Sequence, residues 1–147
     1  MWATYNDSNF PIVNVKMTGV PENNNDFQNF LDTWNAYNSN NLNPNKTPYI
    51  FVFDTTEVGM VNMKYAFKMT SFIKELKRQE NQYLKGSVII VKNKYIKFLL
   101  KIIFFMQKPV ADVHLTDSDD TKFLSQLISE VNTGIEKQYN NVSIVRA

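Results

Sequence analysis

The sequence predicts an α/β domain with a mainly parallel sheet of four to six strands and about four helices. Segments with the hydrophobic pattern of strands alternate with segments whose apolar residues recur at helical spacing. Two strand-like segments, Tyr49–Phe53 and Ser87–Val91, are almost wholly apolar, as is typical of parallel strands covered on both faces. This alternating order favours right-handed crossovers with helices packed on the sheet. No repeat or linker is visible, so we expect one domain over residues 1–147.

The first part of the chain is predicted to hold two strands and a helix. Pro11–Met17 alternates polar and apolar side chains, which indicates a strand with one solvated face. The turn Pro21–Asn25 is rich in residues that cap helices. The helix after it has one apolar stripe, formed by Phe27, Phe30, Leu31, Trp34 and Tyr37. The Asn- and Pro-rich segment Ser39–Pro48 is predicted to be a surface loop, and the buried strand that follows ends at Asp54.

The middle of the chain is predicted to hold two longer helices. The second helix runs from about Asn62 to Glu80, with its apolar side formed by Tyr65, Ala66, Met69, Phe72, Ile73 and Leu76. The third helix, about Lys94–Gln107, ends before Pro109.

The last part of the chain is predicted to add the short strand Asp112–Leu115 and a helix beyond Asp117. The stripe of this fourth helix is Phe123, Leu124, Leu127, Ile128 and Val131. The tail Val142–Val145 forms an edge strand or packs without pairing. An unpaired sheet edge at Pro11–Met17 or at Val142–Val145 would allow pairing between chains, so we leave a homo-oligomer open.

The composition excludes several kinds of site. There is no cysteine, so disulfides, thiolate catalysis and cysteine–zinc sites cannot form. The four glycines form neither a Walker loop nor a dinucleotide fingerprint, so we expect no cofactor. The amino terminus lacks a signal-peptide pattern, and the apolar run Ile102–Met106 is far shorter than the ~20 residues that span a bilayer. We therefore expect an intracellular, cytoplasmic protein, and a role in a virus particle stays open.

Positive charge is concentrated in one part of the chain. The formal net charge is only +2, yet residues 64–108 hold 11 Lys and Arg against two Glu. That segment therefore carries a net +9 and the rest of the chain a net −7. Such an asymmetry bears on partners and orientation rather than on fold.

The third helix carries the most unusual pattern. Its apolar side, which we expect to face the sheet, is formed by Ile96, Leu99, Leu100, Ile103 and Met106. The opposite stripe is basic, and three phenylalanines border it. With two lysines of the second helix these residues form a predicted interaction face: Lys64, Lys68, Lys94, Lys97, Lys101, Lys108, Phe98, Phe104 and Phe105. The alternative is an ordinary covering helix whose lysine stems shield apolar flanks.

The residues that could support catalysis or metal binding have simpler explanations. His114 is the only histidine, and a packed or solvent-facing strand histidine is favoured over pairing with Asp112 or Asp117. The carboxylates of Asp117, Asp119 and Asp120 could hold Mg²⁺ or Ca²⁺, but this sequence is also what a helix start needs. We therefore predict capping, and no catalytic or metal site.

The pattern resembles the STAS-like (SpoIIAA-like) and SEC14 (CRAL-TRIO)-like domains over about Ile12 to Leu127. The buried strand Tyr49–Asp54 leads through Thr55–Met60 into a long helix, and Leu84–Lys92 is followed by a helix, a proline and a short strand, as in that group. Bacterial STAS regulators carry an Asp-Ser-Ser-Gly-like phosphorylation motif where this chain has Val61–Lys64, with no hydroxyl. The resemblance implies a scaffold that binds proteins or membranes.

We therefore predict a non-catalytic interaction or assembly module that docks an acidic protein surface through the predicted interaction face. The alternative is a peripheral membrane or lipid-binding protein of SEC14-like type that uses the same face on an anionic membrane. A small enzyme, with His114 or the Asp117–Asp120 group in a pocket, is a third hypothesis. Nucleic acid is not expected as a partner, because lysines outnumber arginines and no nucleic-acid-binding motif is present.

Overall fold

The computed structural model describes residues 1–39 and 41–147, and it confirms the predicted α/β class. Asn40, within the predicted loop Ser39–Pro48, lies outside the described residues. Ten elements follow one another along the chain: β1 (Ala3–Asn9), β2 (Ile12–Gly19), α1 (Asn24–Asn38), β3 (Tyr49–Val58), α2 (Met63–Lys77), β4 (Leu84–Ile90), α3 (Lys94–Met106), β5 (Val113–Thr116), α4 (Thr121–Thr133) and β6 (Val142–Val145).

The six strands form one mixed sheet in the order β1-β2-β3-β4-β5-β6. The strands β2 to β5 are parallel to one another, whereas β1 and β6 each pair antiparallel at an edge. The parallel strands therefore all end at the same edge of the sheet, and the predicted mainly parallel arrangement is confirmed.

The strand β1 was not predicted, and it changes the nature of one sheet edge. Ala3 is opposite Met17 and Asn6 is opposite Asn14, so β2 is covered along its length. The prediction that Pro11–Met17 is an unpaired edge is therefore wrong. The other predicted edge is present, because β6 pairs only with β5, through Val113 and Val145 among others.

Three helices and the main core lie on one face of the sheet, which we call the front. Each parallel strand is followed in the sheet by the next strand of the chain, so right-handed crossovers place α1, α2 and α3 on the same side. Aromatic rings fill much of this layer: the centroid of Trp34 lies 5.1 Å from that of Phe51 and 5.2 Å from that of Phe53. Buried aliphatic residues complete it, among them Val13, Val15, Ile73, Leu76, Ile89, Ile96, Leu99 and Ile103.

A single helix, α4, covers the back of the sheet over β3 and β4. Its Leu127 packs in a smaller apolar cluster with Ile50, Val52, Val88 and Ile90. The part of the back face formed by β1 and β2 is polar. This explains the alternation in the first predicted strand, since Asn14 and Lys16 point to that open face while Val13, Val15 and Met17 face the front core.

Candidate functional site

The outer side of α3 presents the candidate site, and the way the helix is held explains its geometry. The Asn93 side chain caps the helix by accepting a hydrogen bond from the Tyr95 backbone N–H at 2.8 Å. The Tyr95 hydroxyl donates to the Val61 carbonyl at 2.6 Å, which ties α3 to the segment before α2. Ile96, Leu99 and Ile103 are buried against the sheet, so the opposite side of a rigid helix faces solvent.

This outward side carries five residues, which we call the Lys-Phe surface: Lys94, Lys97, Phe98, Lys101 and Phe105. All three lysines are exposed. Phe98 is 52% exposed and Phe105 is 92% exposed. Two large aromatic rings thus stand in water between ammonium groups on one helix.

Two residues of α3 differ from their predicted positions. Met106 was expected to face the sheet, but it is 50% exposed because the helix ends there and no neighbouring element covers its side chain. Phe104 was expected on the flank beside the lysines, but it is half-buried and packs against the main core. Phe104 is therefore a packing residue more than a surface residue.

The lysines of the Lys-Phe surface have no acidic neighbours on the helix. Residues 93–111 contain neither Asp nor Glu. Six ion contacts occur within the described part of the chain, and none of them involves Lys94, Lys97 or Lys101. These three lysines therefore have no salt-bridge partner among the described residues.

The lysines that α2 contributes to the predicted interaction face lie elsewhere on the front layer. The Nζ atoms of Lys64 and Lys68 lie 5.1 and 5.7 Å from the centroid of the Tyr65 ring. Lys68 Nζ also donates to Asn24 Oδ1 of α1 at 3.1 Å. The pair is thus turned towards α1, whereas Lys97 and Lys101 line a groove on the β5–β6 side of α3. Lys108 is exposed just beyond the end of α3.

One exposed aromatic residue was missed by the sequence reasoning. Phe67 of α2 is 50% exposed. Its helical position falls on the same side as Ser71 and Arg78, which are polar, and this was the signal that could have identified it.

Among the described residues, His114 makes no hydrogen bond with Asp112 or Asp117, the partners considered for it. The side chain faces the back of the sheet beside Val88 and Ile144, is half-buried, and its Nδ1 atom is buried without a hydrogen-bond partner. The Asp112 carboxylate instead accepts hydrogen bonds from the Ala147 backbone N–H at 2.9 Å and from Arg146 at 3.0 Å. These bonds hold the pKa of Asp112 below its usual value.

The acidic cluster before α4 is a helix start, as predicted. The Asp120 side chain is the N-cap and accepts from the Lys122 backbone N–H at 3.3 Å. Asp119 pairs with Lys92 at 2.8 Å, and this hydrogen bond lowers the pKa of Asp119. Within residues 1–39 and 41–147, no group of three or more acidic or histidine side chains is arranged to hold a metal ion.

Comparison of the chain with models of protein families, with curated proteins and with solved structures gave no match. In the described ranges, no helix combines the length and the apolar character needed to cross a membrane.

Proposed function

We propose that this chain is a non-catalytic interaction module that docks the Lys-Phe surface onto an acidic surface of a partner protein. The observation that carries the proposal is the exposure of Phe98 and Phe105 beside lysines that form no salt bridge among the described residues. Exposed aromatic groups rimmed by polar residues mark interaction sites. Burying Phe105 in a partner would remove a nearly complete aromatic side chain from water.

The charge of this surface favours an acidic partner. Complementary potentials speed association and penalise partners of the same sign. A segment that lacks Asp and Glu over residues 93–111 has no internal counter-charge to weaken that preference. Binding should therefore weaken as salt rises.

The helix is a suitable platform because it is already ordered. Ile96, Leu99 and Ile103 anchor α3 in the core, so docking does not need to order the backbone. Phenylalanine and methionine are enriched in the buried centres of interfaces, and Met106 and Phe67 extend the exposed apolar area of this helical layer.

Capture with matched variants tests the proposal. Immobilised wild-type protein would be compared with Phe98→Ser/Phe105→Ser and with Lys94→Gln/Lys101→Gln. Lys46→Gln/Lys122→Gln removes the same charge from other exposed positions and serves as the control. A partner that is lost with both α3 variants, retained with the control, and bound directly in salt-sensitive fashion after purification supports the proposal. Equal binding by all four proteins contradicts it.

A second candidate function is attachment to an anionic membrane. The type of basic side chain on α3 favours it. The positive residues of α3 are all lysine, whereas protein interfaces are enriched in arginine and depleted in lysine. Lysine clusters on an amphipathic helix suit anionic lipid headgroups, and the exposed phenylalanines would enter the headgroup region.

Liposome co-sedimentation separates this second candidate from the first. Binding to vesicles that contain phosphatidylserine, absent with neutral vesicles and lost in Phe98→Ser/Phe105→Ser, would establish membrane attachment. The choice of Phe98 rather than Phe104 matters, because Phe104 packs against the core and its loss would damage the fold. Absence of vesicle binding at low and at physiological salt would remove this candidate.

A further inference from the structure

An apolar cavity of about 140 Å³ lies between the front of the sheet and the helices α1, α2 and α3. Its walls include Ile89 and Val113 from the sheet and Ile103 and Phe104 from α3. The cavity is partly open to solvent rather than a closed internal void. An engineered apolar cavity of about 150 Å³ in another protein stays dry and binds benzene. The space therefore suits a small apolar group of roughly six carbon atoms.

The cavity wall offers little that would hold water. Among the described residues that line it, two carry an aliphatic hydroxyl, Thr55 and Ser87. The Thr55 hydroxyl already donates to the Ile90 carbonyl at 2.7 Å. A buried water molecule needs two to four polar partners, so an aliphatic occupant is favoured over water.

A second space, the groove beside α3, adjoins this cavity. It measures about 270 Å³ and lies between α3 and the strands β5 and β6. Lys97 and Lys101, one helical turn apart, line it together with Asp117, and Leu100 is a wall of both the groove and the cavity. Leu100 is half-buried and lines both spaces, so its side chain is the part of the wall that would have to move for one ligand to occupy both.

We propose that the chain binds a small aliphatic carboxylate, with its hydrocarbon chain in the apolar cavity and its carboxylate beside Lys97 and Lys101. An apolar cavity next to two lysines that form no salt bridge, with one carboxylate in the same groove, matches an amphiphilic anion in both shape and charge. The single negative charge of Asp117 across the groove disfavours a doubly charged head, which selects a carboxylate over a phosphate monoester. The hydrocarbon part of this site lies on the inner side of α3, away from Phe98 and Phe105, but the carboxylate would share Lys97 and Lys101 with the Lys-Phe surface.

Titration of the wild-type protein with octanoate, followed by methyl and aromatic NMR, tests the site directly. The expected result is saturable shifts of the Ile89, Ile103 and Val113 methyl groups, all of which line the cavity. Octanol and octylammonium, with the same chain and a neutral or positive head, are expected to bind several-fold more weakly. Lys97→Gln/Lys101→Gln should bring octanoate to the level of octanol, while Lys46→Gln/Lys122→Gln, at exposed positions that line neither space, should leave its affinity unchanged.

Three outcomes would overturn the proposal. The first is an absence of shifts in the cavity methyl groups at octanoate concentrations below self-association. The second is shifts confined to the Phe98 and Phe105 rings, which would show adsorption on the outer surface. The third is equal affinity for octanoate and octanol, which would remove the lysines from the site. All three are read on the unmodified protein, so they do not depend on whether a variant folds.

Discussion

Val131 of α4 lies so close to Gly86 of β4 that a Cβ atom at position 86 would be 2.9 Å from its Cγ1 atom. Real Cβ atoms essentially never approach another heavy atom this closely. The absence of a side chain at Gly86 thus lets α4 settle on the back of the sheet. The valine side chain is short and strongly restricted in rotamer, so it has little freedom to move aside.

Gly86→Ala should therefore destabilise the protein by about 1–3 kcal/mol, the usual cost of overpacking a well-packed site. The free energy of unfolding in urea, measured by circular dichroism, gives this value. In a Val131→Ala background the same substitution should cost clearly less, because the clashing methyl groups are gone. An unchanged cost in that background would show that the close approach is not the reason for glycine at this position.

Tyr49 is 0% exposed, and its buried hydroxyl has no hydrogen-bond partner. A buried unsatisfied polar group costs about 1–3 kcal/mol relative to a satisfied one. We therefore expect Tyr49→Phe to leave the free energy of unfolding unchanged or to raise it. Chemical denaturation of the variant beside wild type is the measurement.

Tyr5 provides the matched control for Tyr49, because it lies in the same aromatic cluster but its hydroxyl donates to the Phe30 carbonyl at 2.8 Å. Tyr5→Phe should cost about 1 kcal/mol, the typical net value of one hydrogen bond. A loss of stability in Tyr49→Phe as large as in Tyr5→Phe would mean that the Tyr49 hydroxyl has a partner, such as a buried water.

The Tyr37 hydroxyl links stability to alkaline pH. Burial, followed by the nearby Asp7 carboxylate that accepts its hydrogen bond, raises the pKa of Tyr37 to about 12. The unfolded chain binds this proton with a pKa of about 10, so the folded state holds the proton more tightly. The resulting stability is complete below about pH 10 and is lost as the pH rises towards about 12.

Comparison with Tyr37→Phe isolates this contribution from the titration of lysines. As the pH rises from about 9 to about 11, the free energy of unfolding of the wild type should fall relative to that of Tyr37→Phe. Thermal or urea unfolding at closely spaced pH values would show it. Parallel stability curves for the two proteins over this range would contradict the assignment.

The parts of the fold that were predictable are those in which local pattern and burial agree. The run Tyr49–Phe53 is buried throughout, and the stripe of α1 from Phe27 to Tyr37 is the side that packs on the sheet. In contrast, β1 places few side chains in the core besides Ala3 and the partly buried Tyr5, so its sequence carries little strand signal. The strand is held by backbone hydrogen bonds to β2, and the pattern of side chains does not predict such bonds.

The candidate site was predictable only in outline. A helical wheel gives the direction of each side chain, and it placed Lys97, Lys101 and Phe98 on the outer half of α3. The wheel does not show where the neighbouring elements end. The extent of those elements determines that Phe104 is covered and that Met106 is not. The apolar cavity could not be predicted at all, because it depends on how imperfectly whole layers pack.

The cap at Asp120 gives a direct test of whether the acidic cluster before α4 is structural or binds a metal. Asp120→Ala removes the acceptor for the Lys122 N–H and should lower the free energy of unfolding by about 1 kcal/mol. Asp119→Asn serves as the comparison: it removes only an exposed ion pair with Lys92, so it should change stability little. Thermal unfolding with and without added Ca²⁺ or Mg²⁺ completes the test. A wild-type melting temperature that rises with the cation, and no longer does so in Asp120→Ala, would replace the capping role with a metal site.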